Sequence, residues 1–379
     1  MSSPFADVTL ATLRTRASAK WTAYPPDVLP AWIAELDVTL APPIRAALEA
    51  AIASSDTGYA TPRLVGAPLA RYLRESYAWT VDPALFVAAA DVIVALTEVL
   101  RTIAAPGASI VINSPVYPPF YRVVEAVGQT VVDVPLLHDD AGWSLDFVGL
   151  ERAFAAGARG YVLCSPHNPL GRVFAEDDLV RIAELAQRYG VTVIADEIHA
   201  PLTYDDTRFV PFLRASERIG YGDAVALWSA SKAWNIAGLK CATIVAGSEA
   251  MRARLSRIHS EPSGLGVVAA IAAYEHGGPW LRELVAQLDR NRMLLRDLLA
   301  DAAPAVRYEP PQAGYLAWLD CGGLGLDGQP VDVFLARGRV ALSRGRDFGP
   351  AGEACVRLNF GTTPAILSEV VERMRRSLS

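Results

Sequence analysis

Four short polar clusters each follow an apolar, β-branched run. Ser114-Pro115-Val116-Tyr117 follows Ser109–Asn113, and Pro166-His167-Asn168-Pro169 follows Gly160–Ser165. Asp196-Glu197-Ile198-His199 follows Val191–Ala195, and Ser229-Ala230-Ser231-Lys232 follows Ala224-Val-Ala-Leu-Trp228. An amide, a carboxylate, a lysine, a histidine and a tyrosine are thus delivered by four strand ends. Any one of them could be a cap or a turn residue, but together they have a specific chemical sense. A lysine forms a Schiff base with an aldehyde. A carboxylate keeps a pyridine nitrogen protonated and makes the ring an electron sink. An amide and an imidazole can hydrogen-bond a phenolate oxygen, and a tyrosine can stack on the ring. Hydroxyls and backbone N–H groups at a helix start bind a phosphate. The set describes a pyridoxal-phosphate site.

The elements that must carry these residues are legible as an alternation. Strand-like runs at Ser109–Asn113, Thr130–Val134, Gly160–Ser165, Val191–Ala195, Ala224–Ser229 and Cys241–Ala246 are interleaved with helical patterns at Pro118–Val127, Leu145–Ala156 and Glu176–Tyr189. That order predicts an α/β fold on a mostly parallel sheet covered on both faces, with ligands beyond the carboxyl ends of the strands. After about residue 248 the pattern changes to helices at Met251–His259, Val267–His276 and Trp280–Ala302. The end of the chain mixes strands (Tyr315–Asp320, Val340–Ser343, Val356–Phe360) with helices (Val331–Arg337, Pro364–Leu378), which reads as a smaller α+β domain. A Pro-rich N-terminal stretch (Pro25, Pro26, Pro30, Pro42, Pro43) reads as an extended arm packing with the C-terminal part.

Composition bounds the rest. The chain has 379 residues, enough for two or three domains, with 52% apolar and 20% charged residues, which excludes a disordered chain. The net charge of −6 gives no whole-protein attraction to nucleic acid or anionic membranes. The most apolar stretch, Ala84–Leu96, is broken by Asp91 and is too short to span a bilayer, and the first residues lack a signal-peptide pattern. Cys164, Cys241, Cys321 and Cys355 are far apart with no C-x-x-C spacing, as expected of thiols in a reducing cytoplasm. His138, His167, His199, His259 and His276 show no metal-ligand spacing, so no metal is expected.

The motifs Ser165-Pro-His-Asn-Pro-Leu-Gly-Arg172, Asp196-Glu-Ile-His199 and Ser229-Ala-Ser-Lys-Ala-Trp-Asn-Ile-Ala-Gly-Leu239 resemble those of the fold type I pyridoxal-phosphate enzymes, the aspartate aminotransferase superfamily. Spacings of 28 residues from Asn168 to Asp196 and 36 from Asp196 to Lys232 are similar to that superfamily's. Within it, His199, the Lys232 segment and Trp32-Ile-Ala-Glu-Leu-Asp37 resemble the PatB/MalY-like C–S lyases (cystathionine β-lyases). The resemblance runs from about Trp21 to the C-terminal helix. It implies a large cofactor domain (45–280) with a mostly parallel seven-stranded sheet, and a small α+β domain built from residues 1–44 and 281–379.

By the same resemblance Lys232 would hold the cofactor's aldehyde and then move the substrate's Cα proton. Asp196 would pair with the ring nitrogen, Asn168 and His199 would lie near the ring's 3-oxygen, and Ile198 and Tyr117 would cover its two faces. Ala95, Leu96 and Thr97 match the phosphate-binding turn, which Ser229 and Lys240 could also reach. Tyr59 resembles the tyrosine that serves the phosphate of the neighbouring subunit, which implies a homodimer with its site at the interface. Arg357 resembles the clamp on the substrate carboxylate, beside Asn168; its alternation with Val356 and Leu358 puts it on the opposite strand face, with Asn359. Leu170, Pro201, Glu35 and the glycine-free phosphate turn depart from the family pattern and leave substrate choice open.

The expected reaction is β-elimination from a sulfur amino acid such as cystathionine, a cysteine S-conjugate or cystine. An aminotransferase begins with the same Cα deprotonation and is the alternative; a cofactor-binding regulator would need a DNA-binding segment for which there is no room at the N-terminus. Two decoys stand apart. Ser229-x-x-Lys232 also fits a serine-acylating motif, but no Ser-Asp-Asn or Lys-Thr-Gly accompanies it. Gly323-Leu-Gly325-Leu-Asp-Gly328 fits a dinucleotide fingerprint but lies in the small C-terminal region and reads as a loop.

Overall fold

The computed structural model describes residues 3–378. Its main sheet has seven strands: β1 (Phe86–Ala89), β2 (Ser109–Ile112), β3 (Thr130–Asp133), β4 (Gly160–Cys164), β5 (Thr192–Asp196), β6 (Ala224–Trp228) and β7 (Ala242–Ala246). Their order across the sheet is β1-β7-β6-β5-β4-β2-β3. β7 runs antiparallel to both its neighbours and the other pairings are parallel. Every residue of β4, β5, β6 and β7 is buried, which is why these strands are continuous apolar runs rather than alternating ones.

The reversal of β7 matters for the site. Its amino end lies at the same edge as the carboxyl ends of the parallel strands, so Lys240 and Cys241, just before it, join the residues that follow β1, β2, β4, β5 and β6. Helices Val92–Ile103, Pro119–Ala126, Phe147–Ala155 and Glu176–Tyr189 connect the strands. Glu176–Tyr189 buries Leu179, Ile182, Ala183 and Ala186 on one face, carries three acidic residues in its first turn, and ends on Gly190 at φ 65°, a conformation glycine adopts without strain.

A second, four-stranded sheet contains Arg307–Tyr308, Leu316–Asp320, Cys355–Asn359 and Ser343–Arg344 in that order. The single strand expected at Val340–Ser343 is two, because the chain changes partner at Leu342. Val340–Ala341 pairs in parallel with the N-terminal arm at Leu29–Pro30, whereas Ser343–Arg344 pairs with the strand bearing Arg357. The helix expected at Met251–His259 starts earlier, at Glu249 under a Ser248 cap, and tightens after Arg254 into a 3-10 turn. The Gly323–Gly328 segment is a 3-10 turn and loop with no strand–helix unit.

The arm continues into a strap, residues 32–37, laid across the main-sheet edge and fastened from both sides. Asn235 donates to Leu36 O and accepts from Leu36 N. Asn359 Nδ2 donates to Ile33 O and Glu35 O, and Asp37 N donates to Gly361 O. Among the described residues no helix is long and apolar enough to cross a membrane.

Candidate active site

The strand-end residues converge on one cavity of about 170 Å³. Tyr117, Asn168, Asp196, Ile198, His199, Ser229, Lys232 and Lys240 all line it, as do Ala34 of the strap and Cys164, Ser231, Ala237 and Cys241. Neither Tyr59 nor Arg357 is part of that lining. Tyr59 is 99% exposed on the surface of the chain. Arg357 is buried and reaches the site through Asn168, whose Oδ1 accepts from its Nη1 at 3.0 Å.

The helix start that faces the cavity, Asp91–Ile93, lies four residues before the turn expected at Ala95–Thr97. The helix starts at Val92, because the Asp91 carboxylate accepts from Val94 N at 2.8 Å and caps it. Ala95 and Leu96 are therefore one turn inside the helix and fully buried, and the Thr97 hydroxyl donates back to Ile93 O. Asp91, Val92 and Ile93 line the cavity instead. The polar break of Asp91 within an apolar run was the available signal. Lys240 Nζ meets Asp91 Oδ2 at 2.7 Å at this end, and Ser229 Oγ bonds Ser231 Oγ and Cys241 O rather than Lys232.

The chain has three lysines, and their surroundings differ. Lys20 is ion-paired with Asp37 at 2.8 Å, and Lys240 with Asp91. Lys232 has no carboxylate within ion-pair reach; its Nζ donates to Ala34 O at 2.9 Å and opens into the cavity. Burial, helped by the nearby Arg357 charge, brings its ammonium down to about 8, against the pull of Asp196 and Glu35. A neutral amine, the nucleophilic and basic form, is thereby accessible near neutral pH.

Burial pushes the Asp196 carboxyl up to about 6, although Ile198 N donates to it and Lys232 favours its ionised form. A cationic ring nitrogen beside it would reverse that shift. Burial together with the Lys232 and Arg357 charges takes His199 down to about 3, so its imidazole is neutral at pH 7. His167, by contrast, faces the protein: its ring nitrogens contact Cys164 O and Pro115 O, and burial takes it down to about 4.

The Arg357 guanidinium is held by neutral acceptors: Asn168 Oδ1, Trp32 O at 3.0 Å and Ser343 Oγ at 3.1 Å. It lies over the Phe348 ring at 4.9 Å, and its buried Nε has no partner. Burial lowers it to about 10, still a cation at neutral pH. A buried cation without a carboxylate is costly, and the arrangement suits an anion brought by a ligand.

The donor set fits pyridoxal phosphate on this geometry. An unpaired amine and a buried carboxylate share one cavity, and two serines, a lysine and a helix N-terminus gather at one end. An α/β fold with such an edge defines a cofactor-binding enzyme of the fold type I kind. The model of the family "Aminotransferase class I and II" matches residues 35–374, and the chain belongs to that family. A Mycobacterium leprae protein, provisionally named a cystathionine beta-lyase, is 41% identical over 403 residues, covering 100% of this chain and 98% of its own. The cystathionine beta-lyase PatB of Bacillus subtilis is 34% identical, covering 93% of each chain. A crystal structure from Corynebacterium diphtheriae, provisionally named a PLP-dependent beta-cystathionase, superposes with a TM-score of 0.93 at 31% identity, over 100% of this chain and 99% of that one.

Proposed function

We propose that this protein is a pyridoxal-phosphate-dependent carbon–sulfur β-lyase that cleaves the Cβ–S bond of a sulfur amino acid, cystathionine being the first candidate. The observation that carries this reading is Lys232, an amine without a carboxylate partner, in one cavity with Asp196 and joined through Asn168 to an unpaired Arg357. The full-length likeness to PatB and to the Mycobacterium leprae protein directs that chemistry to sulfur rather than to amino transfer.

When bound, pyridoxal phosphate supplies the electron sink that makes the substrate's Cα–H bond acidic. Asp196 would keep the ring nitrogen protonated, Asn168 and the neutral His199 would serve the 3-oxygen, and Ile198 and Tyr117 would cover the ring. The N–H groups of Val92 and Ile93, with Ser229, Ser231 and Lys240, would hold the phosphate. Arg357 fixes the substrate carboxylate, and Lys232 takes the Cα proton as a base. The Cβ–S electron pair leaves on sulfur, which receives the proton that Lys232 took from Cα and departs as a thiol, and one water converts the three-carbon remainder to pyruvate and ammonia.

Pyruvate release from cystathionine, cystine and a cysteine S-conjugate tests this, with and without an added 2-oxo acid. Stoichiometric pyruvate without the 2-oxo acid is the expected result, with a thiol from cystathionine and the S-conjugate and a persulfide from cystine. Turnover that depends on the 2-oxo acid, with no pyruvate, would make the protein an aminotransferase.

The working unit in this reading is a cytoplasmic homodimer, each chain divided into a large domain (45–280) and a small one (1–44 with 281–379). Tyr59 serves the neighbour's phosphate; its full exposure, with Ile52 and Leu64 also exposed, supports a partner on that surface. Tyr59→Phe is expected to weaken cofactor retention at least tenfold, about 1.5–3 kcal/mol for one lost hydrogen bond to an ionised group. Unchanged cofactor affinity by equilibrium dialysis would remove Tyr59 from the site.

A further inference from the structure

A second cavity, of about 470 Å³, shares no lining residue with the cofactor cavity. Its lining includes His138 and Trp143 of the hairpin formed by Leu137–Asp139 and Gly142–Ser144, the loop Leu170–Arg172, residues 307–312, and Trp318 and Asp320. One residue separates the loop from Asn168, which lines the cofactor cavity.

Its walls are fixed. His138 stacks on Trp143 with centroids 4.4 Å apart and meets Glu309 at 2.6 Å, so hairpin and second sheet close against each other. Gly171 O accepts from Gln312 N and Ala313 N, and Gln312 Oε1 accepts from Val173 N at 2.9 Å. Gly171, at φ 63°, has no room for a side chain: a Cβ there would stand 2.3 Å from that of Pro311.

The charged groups of this cavity are unequally partnered. Its two carboxylates have hydrogen-bond donors, Glu309 from His138 and Asp320 from Gly322 N. Its two guanidinium groups have no carboxylate. Arg172 has one long contact, 3.3 Å to Gln312 Oε1, and its Nε is buried without a partner. Arg307 has neither an ion pair nor a side-chain hydrogen bond among the described residues. Beside them stand the flat apolar surfaces of Trp143, Tyr308 and Trp318. Two guanidinium groups short of acceptors beside aromatic walls, in a volume suited to a small molecule, are the features of a ligand site.

We infer that this cavity is an accessory binding site for a small organic anion with a planar apolar body, its carboxylate held by Arg172 and Arg307 and its ring against Trp143 and Trp318. Indole-3-carboxylate titrated calorimetrically into the holoenzyme tests this, with the neutral indole-3-carboxamide as control. The expected result is saturable binding of one carboxylate per chain without change in the cofactor's visible absorbance, and about tenfold weaker binding of the amide. Arg307→Gln, an exposed position outside the catalytic machinery, weakens the carboxylate about tenfold and leaves pyruvate release unchanged; Arg172→Gln acts in the same direction. No saturable binding, equal affinity for the amide, binding that shifts the visible band, or full affinity in Arg307→Gln would each overturn the proposal.

Discussion

Lys20 and Lys232 grip the same strap through successive carbonyls, yet they have opposite uses. Lys20 Nζ donates to Glu35 O at 3.0 Å and completes its shell with Asp37; Lys232 Nζ donates to Ala34 O at 2.9 Å and has no carboxylate to complete it. Trp21 Nε1 also donates to Asp37 at 3.2 Å, so the Lys20 end is satisfied and closed. The Lys232 end faces a cavity and carries a proton that burial loosens. A buried lysine fully paired is structure; one buried and left short of a counter-charge is chemistry.

Substitutions can break this contrast from either side. Lys232→Ala is expected to lower pyruvate release at least a thousandfold, within the range for loss of a catalytic acid–base group, while the thermal midpoint barely moves. Residual turnover within tenfold of the parent would remove Lys232 from the reaction. Lys20→Met is expected to do the reverse. It leaves the Asp37 charge buried and unpaired and costs about 3–5 kcal/mol in denaturant unfolding. An unchanged midpoint would mean that the Lys20 pair is as dispensable as a surface contact.

Glu197 sharpens the comparison through pH. Burial pushes its carboxyl up to about 8, although one oxygen accepts from Phe212 N at 2.6 Å and the Trp228 side chain also favours the ionised form. Its folded-state value lies above the unfolded one. Its stabilising contribution is therefore complete below pH ~4.5 and is lost as pH rises through about 8. Glu197→Gln keeps the acceptor for Phe212 and removes the charge, so the variant's advantage over the parent is expected to grow by about 4 kcal/mol from pH 5 to pH 8.5. A pH-independent difference in thermal unfolding would contradict this.

The smallest expected effect is at the phosphate end. Asp91 places a carboxylate at the end of the cavity proposed to bind phosphate and occupies Lys240. Asp91→Asn keeps a capping oxygen and removes that charge, so the pyridoxal-phosphate dissociation constant is expected to fall about threefold to tenfold. Weaker cofactor binding in this variant would place the phosphate elsewhere.

Much of the site was legible because parallel strands deliver their following residues to one edge whatever their order in the sequence. Asn168, Asp196, His199 and Lys232 could therefore be grouped without knowing which strand neighbours which. The register of the phosphate turn was not legible. In Ala84–Leu96 both strand and helix are apolar, and only the Asp91 cap marks the change between them. The strap's part was hidden for a different reason: Ala34 O and Trp32 O are backbone acceptors, which no side-chain pattern announces. Arg172 and Arg307 line one accessory cavity although they are far apart in the sequence, a juxtaposition that only the folded chain brings about.

The central claim is that Lys232, alone of the three lysines, is the reactive amine. Borohydride reduction of the holoenzyme followed by peptide mass mapping tests it most directly. The account predicts the reduced cofactor mass on the peptide containing Lys232 and none on those containing Lys20 or Lys240. The mass on either of those peptides, or its appearance in Lys232→Ala, would contradict it.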